Sequence, residues 1–182
     1  MIDRLVAGAP RAVPCLPSSH KYVIFTDGSS EGDAHWIGGV FFSTAFSKPK
    51  FFASKVHPRA VSEWSRDMKH IIGPVELYAV VAARLHWRQF ISGQCIVYYV
   101  DNYPVLDALI KGTSTAVTFR DLLACYERKE LHGYSWAWFS RVPSESNCAD
   151  APSRGEYRGL VDKGWMHERC TCPIFGDLLE DL

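Results

Sequence analysis

The sequence predicts an α/β fold, a mixed sheet of five strands with helices packed on it. Three short runs of β-branched and aromatic residues precede the first long helical pattern, and the short connections between them favour an antiparallel meander. Beyond them strand patterns alternate with helical ones, the order that builds crossover connections within one sheet. A length of 182 residues, 47% hydrophobic and 22% charged, supplies one domain's core and excludes long disorder, a collagen-like repeat and a coiled coil.

The elements follow in order. Residues 1–19, with Pro10, Pro14, Pro17 and the Ser18-Ser19 pair, show no sustained period and read as a lead-in or linker. Residues 22–26 form an apolar strand that stops at Asp27-Gly28-Ser29-Ser30, a turn cluster, which puts Asp27 at the strand's C-terminal edge. Residues 36–43 and 50–56 read as the next two strands. Pro74 opens a helix to about Trp87, apolar nearly all round and therefore buried, with Glu76 in its first turn. Residues 95–100 form a fourth strand, again followed by an acid, Asp101. Helices from about 104 to 110 and 115 to 130 lead to a fifth strand, residues 134–142. After Pro143, Asn147 is placed to cap a short helix carrying Asp150. The domain spans 20–165, with 166–182 as a less regular tail.

The six cysteines are scattered, several of them inside apolar runs, and read as reduced core residues. Only His167, Cys170 and Cys172 cluster; they offer three soft zinc ligands and no obvious fourth. No run reaches the roughly 18 apolar residues of a membrane span, which points to an intracellular protein of the cytoplasm or nucleus with no membrane partner. Lys plus Arg and Asp plus Glu both count 20, so the net charge is zero and any anionic partner must be held by local charge placement.

Asp27, Glu76, Asp101 and Asp150 sit at strand ends and helix starts that the topology brings to one end of the sheet. Singly, each has an ordinary explanation as turn, dipole compensation or cap. Together, four converging acids repel unless a cation neutralises them, and Mg²⁺, which takes carboxylate oxygens and keeps water or phosphate in its other positions, suits the set. Two such ions about 4 Å apart would activate a water and stabilise a leaving 3′-oxygen.

The segments YVIFTDGSS, PVELYAVVAA, IVYYVDNYPVLDALIKG and VPSESNCADAPSRG, in that order over residues 20–155, resemble the type 1 ribonucleases H and the related domains of reverse transcriptases. The closing motif, Asn147-x-Ala149-Asp150-x-Pro152-Ser153-Arg154-Gly155, resembles most the reverse-transcriptase-linked domains of retroelements and hepatitis-B-like viruses. What the resemblance implies is the ribonuclease H-like fold, with three antiparallel strands, then two parallel ones, and helices on both faces. It also implies a metal-dependent endonuclease that cuts the RNA strand of RNA–DNA hybrids with two Mg²⁺, or Mn²⁺ in substitution. Asp27 and Asp101 would serve both ions, Glu76 would hold one beside the RNA 2′-hydroxyl, and Asp150 would hold the ion that positions the attacking water. Gly28, Ser29, Ser30, Asn102, Arg141, Asn147 and Arg154 would contact the hybrid.

Two departures from the family stand out. Pro143-Ser144-Glu145-Ser146 carries no histidine before the last acid, implying altered turnover, and no basic helix follows Lys111-Gly112, implying weak grip without a polymerase partner. A DNA-cutting nuclease of the integrase, transposase or resolvase kind, and a catalytically silent binding scaffold, are the alternatives. With two Mg²⁺ offsetting the four acids, the remaining protein would be positive by about four units, a balance suited to phosphates.

Overall fold

The computed structural model describes residues 21–170. Its strands are β1 (Tyr22–Glu31), β2 (Ala34–Ser43), β3 (Lys50–Lys55), β4 (Cys95–Val100), β5 (Trp136–Arg141) and β6 (Met166–His167). They form a six-stranded sheet in the order β5-β4-β1-β2-β3-β6. The β1–β2 and β2–β3 pairs are antiparallel, and β1–β4, β4–β5 and β3–β6 are parallel. The helices are α1 (Pro58–Trp64), α2 (Ile72–His86), α3 (Arg88–Ile91), α4 (Tyr103–Lys111), α5 (Val117–His132), α6 (Asp150–Ser153) and α7 (Arg158–Asp162).

Alternation along the strands sends side chains to two cores. Tyr22 and Ile24 of β1, with Ile37 and Phe41 of β2, join the larger cluster under α2, α4 and α5. Val40 and Phe51, with the partly buried Phe25 and Phe42, join a smaller one with Ala149 and Leu160 beside α6 and α7. Helices therefore cover both faces. Every residue of α2 from Pro74 to Arg84 is buried, as a helix apolar all round must be.

The structure corrects several expectations. The sheet has a sixth strand: Met166 N–H donates to the Pro49 carbonyl (2.9 Å) and Glu168 N–H to the Phe51 carbonyl (2.8 Å), so residues expected in the tail pair with β3. Strand β1 also runs through the expected turn cluster. Asp27, Gly28, Ser29 and Ser30 pair with Gly38, Ile37, Trp36 and His35, and the chain turns only at Gly32, whose φ of +57° suits glycine. Helix α2 begins at Ile72, so Glu76 lies past the first turn, where the dipole no longer explains it. Helix α1 was not read from the sequence at all; Pro58 starts it and Trp64 is fully buried.

Among the described cysteines all four are free thiols, but Cys95 is exposed where core burial was expected. His167 stacks on Phe51 (4.9 Å between ring centres) and Cys170 packs against the larger core, while Cys172 lies outside the described residues, as do residues 1–19. No helix among the described residues is long and apolar enough to cross a membrane.

Glu168 fastens β6. Its carboxylate pairs with Lys50, accepts from Trp87 Nε1 (2.8 Å) and lies 3.3 Å from His86 Nε2. Glu168→Gln is expected to lower stability by about 2 kcal/mol, read as a lower urea midpoint, because it weakens charge-assisted bonds in a half-buried place.

Candidate active site

Asp27 lies in mid-β1, just past the point where β4 stops pairing. The parallel register couples Tyr22 to Ile96 and Phe25 to Tyr99, and continuing it by two residues sets Asp101, the residue after β4, level with Asp27. Gly28 then clears the way for α2. A Cβ there would stand 2.8 Å from the Glu76 backbone nitrogen and from Val75 Cγ1, so only glycine lets the helix bring Glu76 this close to β1. On the opposite face Gly38, the β2 partner of Asp27, does the same for α6: a Cβ would meet Ser153 N at 2.5 Å and the Ala149 carbonyl at 2.7 Å. Asp150 is the first residue of α6.

Two of the four acids, Asp27 and Glu76, feel the charge of others in the set. Burial is the main force on Asp27, raising its carboxyl to about 6, with Asp101 and Asp150 adding to the rise and a hydrogen bond from Ser153 opposing it. Glu76 is pushed further, to about 8, again chiefly by burial, with Asp27 and Asp101 adding and the Asn102 amide opposing. Asn102 Nδ2 donates to Glu76 Oε1 at 3.0 Å. Glu76 Oε2 is buried and has no hydrogen-bond partner among the described residues.

That vacant oxygen and an all-carboxylate donor set fit a hard divalent cation. No three His, Cys, Asp or Glu side chains among the described residues already close around one point. Mg²⁺ does not need such a cage, since it is held through one or two carboxylates and completes its shell with water and substrate oxygens.

The remaining expected residues divide by placement. Gly28 and Ser29 are buried, and the Ser29 hydroxyl donates to the Ser153 carbonyl. Ser30 Oγ meets His35 Nδ1 at 2.9 Å. Asn102 caps α4, accepting from Val105 N–H at 3.2 Å, besides holding Glu76. Asn147 does not cap α6, whose N-cap is Ala149; buried, it donates to the Thr26 carbonyl (3.1 Å) and accepts from Ala149 N–H (3.1 Å), tying the loop to β1. Arg154 Nε reaches Asp150 Oδ1 (3.0 Å) and its Nη1 reaches Glu31 (3.1 Å). Arg141 is exposed at the end of β5, paired in register with Val100 beside Asp101. The sequence reading placed Ser153 in the closing motif but gave it no role, although its hydroxyl bonds Asp27, and it missed Gly38, which carries no charge or pattern to mark it.

Solved structures share this arrangement of strands and helices. RNase H1 from the halophilic archaeon Halobacterium salinarum NRC-1 superposes with a TM-score of 0.55 over 78% of this chain and 98% of its own, at 19% identity. The chain has the ribonuclease H fold. The N-terminal RNase H domain of a Mycobacterium tuberculosis protein matches with a TM-score of 0.55 at 14% identity, covering 80% of this chain and 99% of that one. LC11-RNase H1, solved in complex with an RNA/DNA hybrid, gives 0.50 at 14% identity over 78% and 99%. No protein-family model matches the sequence, and no curated protein does. At these identities the ribonuclease H fold is carried by the strand order and packing, with little of the sequence shared.

Proposed function

We propose that the protein is a metal-dependent endonuclease that hydrolyses the RNA strand of RNA–DNA hybrids. The observation that carries this reading is the convergence of Asp27, Glu76, Asp101 and Asp150 from four separate elements, with a buried, unpartnered oxygen on Glu76. The crystallised hybrid complex of a protein with the same fold supports the choice of substrate.

Asp27, Asp101, Glu76 and Asp150 would hold Mg²⁺, or Mn²⁺ in its place. When bound, two such ions supply Lewis-acid activation of water and charge neutralisation at the leaving oxygen. The chain's own groups prepare the place: Asn102 fixes one oxygen of Glu76, Asn147 anchors the loop before Asp150 to β1, and Arg154 holds Oδ1 of Asp150. Burial of Asp27 and Glu76 strengthens every charge interaction made there. Arg141 and Arg154, both exposed at least in part, would meet hybrid phosphates.

A reverse-transcriptase association is the finer part of the proposal. The closing motif through Arg154-Gly155 supports it, as does the linker of residues 112–116 between α4 and α5, which has no basic helix of its own. Grip on the hybrid would then come from a polymerase partner.

The test is cleavage of an end-labelled RNA–DNA hybrid and of duplex DNA, with and without Mg²⁺. The RNA strand alone should be cut, only with metal, and Asp101→Asn should lower the rate about a thousandfold, the loss of several kcal/mol of charge stabilisation. An unchanged rate in Asp101→Asn, or cleavage confined to duplex DNA, overturns the reading.

A further inference from the structure

Ser153 closes α6 and is fully buried. Its hydroxyl bonds Asp27 at Oδ2 and also lies 2.8 Å from the backbone carbonyl of Asp150. Its own carbonyl accepts from the Ser29 hydroxyl, and its nitrogen sits against Gly38. One small side chain thus touches two of the four acids' residues, which are 123 positions apart in sequence. A hydroxyl has a single proton, and an ionised carboxylate is the stronger of its two acceptors, so the bond to Asp27 is charge-assisted. Holding one carboxylate oxygen fixes the direction of the other.

We propose that Ser153 is a positioning residue for divalent-cation uptake, setting the orientation of Asp27 relative to the backbone of Asp150. This rests on the nuclease reading above. Partners of metal-holding carboxylates act on affinity in this way, and losing one lowers metal affinity or activity by roughly 10–100-fold. Ser29 supports Ser153 from behind, at one remove from the acids.

The experiment titrates Mg²⁺ calorimetrically into the substrate-free full chain and measures the Mg²⁺ dependence of hybrid cleavage for the wild type, Ser153→Ala, Ser29→Ala and Leu160→Ala. Ser153→Ala should weaken Mg²⁺ binding about tenfold or more, with the half-saturating Mg²⁺ for cleavage rising by the same factor and activity recovering at high Mg²⁺. Leu160→Ala removes packing from the small core beside α6, so it should lower the melting temperature and leave Mg²⁺ affinity unchanged. Equal affinity in wild type and Ser153→Ala overturns the inference, even if the wild type cuts hybrids. A wild type that binds Mg²⁺ but leaves hybrids intact overturns the nuclease reading and leaves the calorimetric comparison to decide the role of Ser153. Absence of Mg²⁺ binding in the wild type overturns both. Should Ser153→Ala fail to fold, Ser29→Ala decides: a smaller weakening in the same direction supports the inference, and unchanged affinity overturns it.

Discussion

Glu76→Gln is expected to make the metal-free protein more stable at neutral pH and, on the proposed nuclease reading, to abolish hybrid cleavage. The carboxyl of Glu76 is raised from 4.5 to about 8, mainly by burial. An acid held above its unfolded value binds its proton more tightly in the folded state, so stability falls as pH rises from about 4.5 to about 8 and the full penalty applies above that. At pH 7 the penalty is about 3 kcal/mol. Gln cannot ionise and keeps the oxygen that accepts from Asn102. In metal-free buffer at pH 7 its melting temperature should exceed the wild type's by roughly 6–12 °C, and the gap should close towards pH 4. Mg²⁺ should then raise the wild-type melting temperature and leave the variant nearly unmoved, since binding to the folded state alone stabilises it. A variant that melts lower than wild type at pH 7 in metal-free buffer would show that burial does not hold the Glu76 carboxyl above its usual range.

Gly38→Ala should shift stability the other way, losing both stability and activity. The added Cβ would meet three backbone atoms of α6 and its approach, the nearest at 2.5 Å, and backbone has no flexible end to swing away. Overpacking of this kind costs roughly 1–3 kcal/mol. The relief available is for α6 to lift from β2, carrying Asp150 and the Ser153 hydroxyl away from Asp27. Cleavage should fall at least tenfold even at temperatures where the variant remains folded. A urea midpoint and cleavage rate equal to wild type would mean that α6 tolerates a wider seat than the structure gives it.

The sequence made the strand runs and the four acids legible because each lies in a local pattern: an apolar run followed by an acid, or a helix with one acid in an apolar stretch. Boundaries were less legible. Asp27-Gly28-Ser29-Ser30 has the composition of a turn, and only pairing with residues 35–38 of β2 keeps it extended. Helix α1 spans seven residues, too few for a period to show, although His57 and Pro58 carried a start signal. Gly38, Glu168 and the role of Ser153, which stood in the closing motif without one, were illegible for another reason. Glu168 meets Lys50 across 118 positions and Ser153 meets Asp27 across 126, and small or isolated polar residues announce no such distant partners. The local pattern pointed to Asn147 as a helix cap, but its amide serves a strand carbonyl.

Strand β6 has only two residues, yet it lies along β3, which would otherwise be the last strand on that side of the sheet. An outer strand offers unpaired amides and carbonyls to any other extended chain, and with them a route to self-association. Met166 and Glu168 occupy those groups at Pro49 and Phe51, and the ion pair at Lys50 places partly buried charge at the same border. At the far side, Glu130 Oε1 accepts the Ala137 N–H of β5 at 2.7 Å. A glutamate thus takes part at each margin: Glu168 fastens β6 along β3, and Glu130 covers an amide of β5, so both outer strands offer fewer free groups for edge-to-edge pairing.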